Sequence, residues 1–323
     1  MFAVYATHAA PENPLAALEI GEQPEREAPA EWLRVKITHA SLNRHDLFTL
    51  QGVSGHPEGI SYPMILGNDA AGTLDDGSPV VIYPLMGSDD WRGDETLDPA
   101  WHIPSEFIQG TFAEYAIVPR RNVLPLPGNL SPLHASVLGT AWLTAYRALF
   151  TKAGLRAGEK VLIQGATGGM ATALLQLARA AGFEVWATSR SAEGRALAER
   201  LGAHRAFAAN EPLPGKVRAV IDNVGADCWA HSISALARGG TLVTVGGTTG
   251  FDVPLNLIPM FTEQLTITGS IMGTRQDMDD MMRLIARAGI EPEIGLILPM
   301  ERAAEGFRGM WEGATRGKIV FTR

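Results

Sequence analysis

Residues 160–191, KVLIQGATGGMATALLQLARAAGFEVWATSRS, constrain the fold more than any other part of this chain. The apolar run Val161-Leu162-Ile163 reads as a buried parallel strand. Gly165, Gly168 and Gly169 supply a turn, and Met170 to Ala181 has the composition of a helix. Gly182 stands where a left-handed glycine ends such a helix. Phe183 to Thr188 reads as the next strand. Strand, glycine turn, helix and strand in this order form a βαβ unit whose glycines let the backbone approach a pyrophosphate at the helix N-terminus. The second strand ends in Ser189-Arg190-Ser191, where an Asp or Glu would bind the adenosine ribose of NAD. A Ser/Arg pair suits the 2′-phosphate of NADP instead. No G-K-[ST] follows the glycines, which excludes a P-loop.

The chain has 323 residues, too many for one ordinary core, so two domains are expected. A net charge of −8 leaves no basic stripe for nucleic acid. Cys228 is the single cysteine, which excludes an internal disulfide and any multi-cysteine zinc site. The start, MFAVYATHAAPENP, lacks the basic and apolar runs of a signal peptide, and no apolar stretch is long enough to span a membrane. A cytoplasmic location is the expectation.

Residues 1–125 look β-rich. Trp32 to Ile37 alternates like a half-buried strand, and Pro79 to Tyr83 and Phe112 to Val118 read as two more. Between the last two lies an irregular stretch, Pro84 to Gly110, whose His102, Asp94, Glu95 and Asp98 read as a solvated acidic loop. Beyond Leu124-Pro125-Leu126-Pro127-Gly128, Leu130 to Phe150 is apolar and mostly helical. The alternation then continues: helix at Ala192–Leu201, strand at Ala219–Asp222, helix at Trp229–Arg238, strands at Thr241–Val245 and Leu265–Thr268. This argues a parallel α/β sheet. Asp277 to Ala288 reads as an amphipathic helix whose Met278, Met281, Met282 and Ile285 face a core.

Ser41-Leu42-Asn43-Arg44-His45-Asp46, PMILGNDAAG at 63–72, GTFAEYAIVP at 110–119, LGTAWLTAYRAL at 138–149, GGTLVTVG at 239–246 and Gly317-Lys318-Ile319-Val320 follow one another along the chain. In that order they resemble the medium-chain dehydrogenase/reductase superfamily nearly end to end. The resemblance implies an α/β protein with a GroES-like, β-rich catalytic domain and a Rossmann domain, a doubly wound parallel sheet, with hydride transfer in the cleft between them. The expected division is 1–125 for the N-terminal part of the catalytic domain and 126–264 for the NADP-binding domain. Residues 265–323 would then carry the last Rossmann strand and the return to the catalytic domain.

Within the superfamily the chain is similar to the zinc-free branch of NADPH quinone oxidoreductases and enone reductases. The zinc alcohol dehydrogenases place cysteine where this chain has Asn43, and His-Glu where it has Asn68-Asp69. Their third ligand aligns with Thr140, and the four-cysteine lobe has no counterpart in 84–110. Asn and Thr are poor zinc ligands, so no metal is expected. The resemblance implies a reductase of a quinone or an α,β-unsaturated carbonyl, with NADP(H) as cofactor. The alternatives are an enoyl-thioester reductase of the same fold and a non-catalytic, crystallin-like NADPH-binding protein. Asn43 is the expected donor and positioning residue, with Asp46 beside it. Phe48 stands where related quinone reductases often carry Tyr, which leaves Tyr62, His45 or water to deliver the proton. Gly165, Gly168, Gly169 and Met170 should line the pyrophosphate, and Ser189 and Arg190, with Arg195 beside them, the 2′-phosphate. Asn223, Val224, Gly246, Gly247 and Thr248 match adenosine- and nicotinamide-side loops, and Thr144 a position near the carboxamide. The stretch 270–274, including Ser270 and Met272, should close over the nicotinamide. The family's habit of pairing last Rossmann strands implies a homodimer through Leu265–Ser270.

Overall fold

In the computed structural model, which describes residues 1–55 and 59–323, the glycine turn belongs to a six-stranded sheet. Its spatial order is Arg205–Ala208, Glu184–Ser189, Lys160–Ile163, Val217–Asp222, Leu236–Thr244 and Thr266–Gly269, with every neighbouring pair parallel. This is the doubly wound order, and its switch point falls between Lys160–Ile163 and Val217–Asp222. The central strands are buried on both faces, with Val161, Leu162, Ile163, Val220 and Ile221 sealed from solvent, which explains their unbroken apolar runs. The helix Gly169–Ala180 follows the glycine turn, buries Ala171, Leu174, Leu175 and Ala178, and is followed by Gly182 at φ 76°. Only a residue without Cβ takes that left-handed turn at no cost.

Two compact units emerge. One comprises Met1–Ala141, Gly273–Met282 and Ile294–Arg323, and the other Trp142–Met272 and Arg283–Glu293. Residues 126–141, expected with the dinucleotide domain, cluster with the first unit, because the helix Pro132–Ala135 packs on the strands Asp69–Thr73 and Pro79–Ile82. The first unit is built on a seven-stranded sheet. Its long strand Trp32–Leu42 pairs antiparallel with Lys318–Thr322, Asp69–Thr73 and Tyr115–Pro119. A second, three-stranded sheet contains Leu18–Glu22, Phe2–Ala6 and Met64–Ile65. The core of this unit centres on Phe112, whose ring meets Phe321 edge-on at 5.1 Å and Phe307 at 6.2 Å. Met278, Met281, Met282 and Ile285 are buried on the helix Arg275–Ala288, as their spacing predicts.

Two local expectations change. The helix expected to reach Arg238 stops at Ala235, and Leu236 already belongs to the strand Leu236–Thr244. Leu236 pairs with Val217, and a register shift absorbs the following residues. A short apolar run next to glycines fits helix and strand equally well, and sheet pairing decides it. The acidic loop is also not uniformly solvated. Asp98 is buried and accepts hydrogen bonds from the Ser88 and Ala100 N–H groups and the Ser88 hydroxyl, so it ties the loop to itself.

Candidate active site

Strand register assembles the polar centre of the first unit. Ser41 lies opposite Asp69 and Leu42 opposite Ile319, so Asn43, Asp69 and Lys318 meet at one end of the strand Trp32–Leu42. All three are buried. Lys318 Nζ donates to the Leu42 carbonyl at 2.9 Å and to Asn43 Oδ1 at 2.6 Å, and lies 3.7 Å from Asp69 Oδ2. Asn43 Nδ2 donates to Asp69 Oδ2 at 2.9 Å and to the Ser41 carbonyl at 3.3 Å. The Ser41 hydroxyl donates to Asp69 Oδ2 at 3.1 Å, and Thr140 Oγ1 to Asp69 Oδ1 at 2.5 Å. Asn43 is thus placed at the site, but its carboxamide is committed within the protein on both its oxygen and its nitrogen. Burial pulls the Lys318 pKa below the ordinary lysine value, and the Asp69 and Asp46 carboxylates oppose that pull.

Asp46 sits on the helix Arg44–Gln51 and is fully buried. One carboxylate oxygen accepts the Asn43 N–H at the helix start and the other accepts the Gly67 N–H, both at 2.8 Å. Burial pushes its pKa up to about 6, with nearby Asp69 adding to the rise, while His45 and the two N–H groups oppose it. The folded value lies above the ordinary 3.8. The protonated group therefore favours the folded state: its contribution is full below about pH 4 and is lost as pH rises through about 6. The stability advantage of wild type over Asp46→Asn should fall by about 3 kcal/mol across that window. Urea unfolding of both proteins at four pH values checks this, and a flat difference would contradict the buried carboxyl.

The proton-donor candidates differ in their commitments. Phe48 is 37% exposed and offers no acid. The Tyr62 hydroxyl donates to the Thr49 carbonyl at 2.8 Å. His45 Nε2 meets Glu106 Oε1 at 2.9 Å, while its buried Nδ1 has no hydrogen-bond partner. Glu106 had no signal in the sequence. It is delivered by the irregular 84–110 stretch, which Ser105 pins to the helix through Thr49 Oγ1.

In the second unit the expected cofactor residues gather where the sheet order reverses. Gly165 has φ 71°, and a Cβ there would lie 2.8 Å from Val224 Cγ2. The N–H groups of Val224 and Gly225 both bond Asp222 Oδ1, which fixes the loop after that strand. The Ser232 hydroxyl and Cys228 thiol bond the same carboxylate. Burial and Asp222 push the Cys228 thiol up to about 12, so it is no nucleophile. Thr248 Oγ1 donates to the Asn223 carbonyl, and the Val245 N–H to the Asp222 carbonyl, which brings Gly246, Gly247 and Thr248 beside Asn223 and Val224. Gly168 precedes the helix Gly169–Ala180, on which Met170 follows, partly exposed. Ser189 is buried at its strand end, Arg190 is exposed, and Arg195 Nη1 donates to the Ser189 carbonyl. Ser191 caps the next helix by accepting the Gly194 N–H. Ser270 continues the last strand and keeps a buried hydroxyl without a hydrogen-bond partner, whereas Met272 is buried at φ 47°. Thr144 is buried in the helix Leu143–Arg147, which packs on Gly169–Ala180.

Among the described residues no group of three or more His, Cys, Asp or Glu side chains is placed to hold a metal ion. No helix is long and apolar enough to cross a membrane. Residues 29–128 match the alcohol dehydrogenase GroES-like domain and 169–287 the zinc-binding dehydrogenase family. An alcohol dehydrogenase of Geobacillus stearothermophilus is 30% identical over 94% of this chain and 95% of its own. An acryloyl-coenzyme A reductase of Sulfurisphaera tokodaii is 26% identical over 95% of this chain and 97% of its own. The quinone oxidoreductase of Mus musculus is 31% identical over 66% of this chain and 70% of its own. A solved NAD-dependent alcohol dehydrogenase is 30% identical, covers 100% of both chains and superposes with a TM-score of 0.93.

Proposed function

The chain belongs to the medium-chain dehydrogenase/reductase superfamily and is an oxidoreductase of that type, and we propose that it reduces a quinone or an α,β-unsaturated carbonyl with NADPH and without zinc. The observation that carries this reading is the closed network around Asp69. Zn²⁺ takes thiolate, imidazole or carboxylate. Here the Asn43 oxygen accepts from an ammonium, the Thr140 proton goes to Asp69, and the Asp69 oxygens accept from Ser41, Asn43 and Thr140 beside Lys318. Asn68 adds only a neutral amide, whose nitrogen already donates to the Pro104 carbonyl. These residues do not fit a zinc ion.

The second unit fits a dinucleotide. The turn at Gly165 and Gly168 leaves room for a pyrophosphate before the helix Gly169–Ala180, and the unpartnered Ser270 hydroxyl is available to a polar ligand. A bound nicotinamide supplies the hydride. Ser189 and Arg190 supply the recognition of a 2′-phosphate in this reading. Arg190→Ala should weaken NADPH binding about 30-fold, or about 2 kcal/mol, and leave NADH binding nearly unchanged. Fluorescence titration with both nucleotides measures this, and equal losses would remove Arg190 from phosphate recognition.

Reduction of an activated double bond moves charge to a carbonyl oxygen, which hydrogen-bond donors and a later proton can satisfy without a Lewis acid. In this reading Asn43 and Asp46 set the shape of the site from inside. The test is NADPH oxidation with quinones, cyclic enones, enoyl thioesters and aldehydes in the presence of a chelator. Turnover of a quinone or enone supports the reading. Activity that the chelator abolishes, or activity confined to aldehydes, refutes it. Enoyl thioesters earn their place in the panel because acryloyl-coenzyme A reductases match nearly the whole chain, whereas quinone oxidoreductases match two thirds of it.

A homodimer in the cytoplasm is part of the reading. Thr266–Gly269 is an edge strand, and Leu257, Ile258 and Phe261 on the helix Leu257–Thr262 are each more than 60% exposed. An unpaired edge beside exposed apolar side chains favours a second copy. Size-exclusion chromatography at micromolar concentration should give a dimer, and a monomer would overturn this part.

A further inference from the structure

We infer that the Lys318 ammonium is the resident cation of the polar centre in the first unit, closing to metal the position that metal-dependent members of the superfamily use. The inference rests on the zinc-independent reading above and assigns a residue to it. Lys318 begins the strand Lys318–Thr322, directly after Gly317 at φ 75°, and its register beside Leu42 delivers Nζ to the end of the strand Trp32–Leu42. There the ammonium meets three oxygens: the Leu42 carbonyl, Asn43 Oδ1 and, at 3.7 Å, Asp69 Oδ2.

This placement has two consequences. Any divalent ion that bound Asn43 Oδ1 or Asp69 Oδ2 would lie within a few ångströms of a positive charge buried with it, where screening by water is weakest. The ammonium also fixes the Asn43 amide. With Oδ1 accepting from Lys318, Nδ2 faces Asp69 and Ser41 and donates to both. Lys318 is therefore a positioning residue: it acts through Asn43 and Asp69 and touches no reacting atom in this argument. Replacing the residues at the three aligned ligand positions is, on this view, insufficient to create a metal site while Lys318 remains.

The test measures cobalt(II) uptake by equilibrium dialysis on the full-length protein. Three proteins are compared: wild type, the triple variant Asn43→Cys/Asn68→His/Thr140→Cys, and the triple variant with Lys318→Gln added. Glutamine removes the charge and keeps a donor for the Leu42 carbonyl. Lys318→Met in the same background is the second variant, and melting curves show which proteins are folded. Wild type should take up no cobalt, and removal of Lys318 should tighten cobalt binding of the triple variant at least 100-fold. Equal affinity with and without Lys318 overturns the inference. So does uptake by wild type, or failure of every folded variant to bind, since Lys318 would then be blocking nothing. Wild-type turnover under chelator reports separately on the zinc-independent reading, so the two can fail independently.

Discussion

Lys318→Met should lower stability by about 3–5 kcal/mol, the cost of leaving a buried charge without its partner. Asp69 has no exposure and Lys318 has 3%, so neither charge can turn to water when the other is removed. Two buried carboxyls, Asp69 and Asp46, share this one lysine as a coulombic partner. Without it, Asp69 keeps hydrogen bonds from Ser41, Asn43 and Thr140 but loses the cation, and Asp46 faces an unneutralised neighbour. Lys318 also satisfies the Leu42 carbonyl and Asn43 Oδ1, and methionine donates to neither. The double variant Asp69→Asn/Lys318→Met removes both charges and should recover at least half of the loss, because a neutral buried pair carries little ionic desolvation cost. Urea denaturation of wild type, both singles and the double closes the cycle. Additive losses would show that the two side chains do not act as a pair.

The dinucleotide half was legible because its signals are local. Gly165, Gly168 and Gly182 mark a turn and a helix end, and the strands around them are apolar runs of the right length. The sheet order then follows from alternation of strand and helix. The polar centre of the first unit was not legible in the same way. Asn43 and Lys318 are 275 residues apart, and only the pairing of Leu42 with Ile319 brings them together. The sequence marks Lys318 as part of a strand-like ending and Asn43 as a donor aimed at substrate. The structure instead commits the Asn43 amide to Asp69 and Ser41 and gives it a buried cation as partner. Glu106 was hidden for a different reason. It lies in an irregular stretch with no periodicity, and its meeting with His45 depends on loop contacts such as Ser105 with Thr49. Leu236 shows the same limit on a smaller scale, since its run of apolar residues acquires strand conformation only by pairing with Val217.

Two glycines of the nucleotide turn should separate folding from cofactor binding. Gly165 sits at φ 71°, and a Cβ there meets Val224 Cγ2 at 2.8 Å. Gly165→Val should therefore cost about 2–4 kcal/mol, from a β-branched residue in left-handed conformation plus a crowded contact. It should also weaken NADPH binding by at least about 100-fold, because the displaced Val224 belongs to the same loop cluster. Gly168 differs: its φ is −75°, ordinary for any residue, and a Cβ there meets nothing within 4 Å. Gly168→Ala should change stability by about 1 kcal/mol or less. If a pyrophosphate approaches the backbone before the helix Gly169–Ala180, the added methyl collides only with that ligand, and NADPH affinity should fall about 10-fold or more in a protein that melts as wild type does. Melting curves paired with nucleotide titration for both variants decide the matter. A Gly168→Ala protein that binds NADPH as wild type does would move the pyrophosphate away from this turn. A Gly165→Val protein of unchanged stability would mean that Val224 yields freely and that the turn is not the rigid cradle its geometry describes.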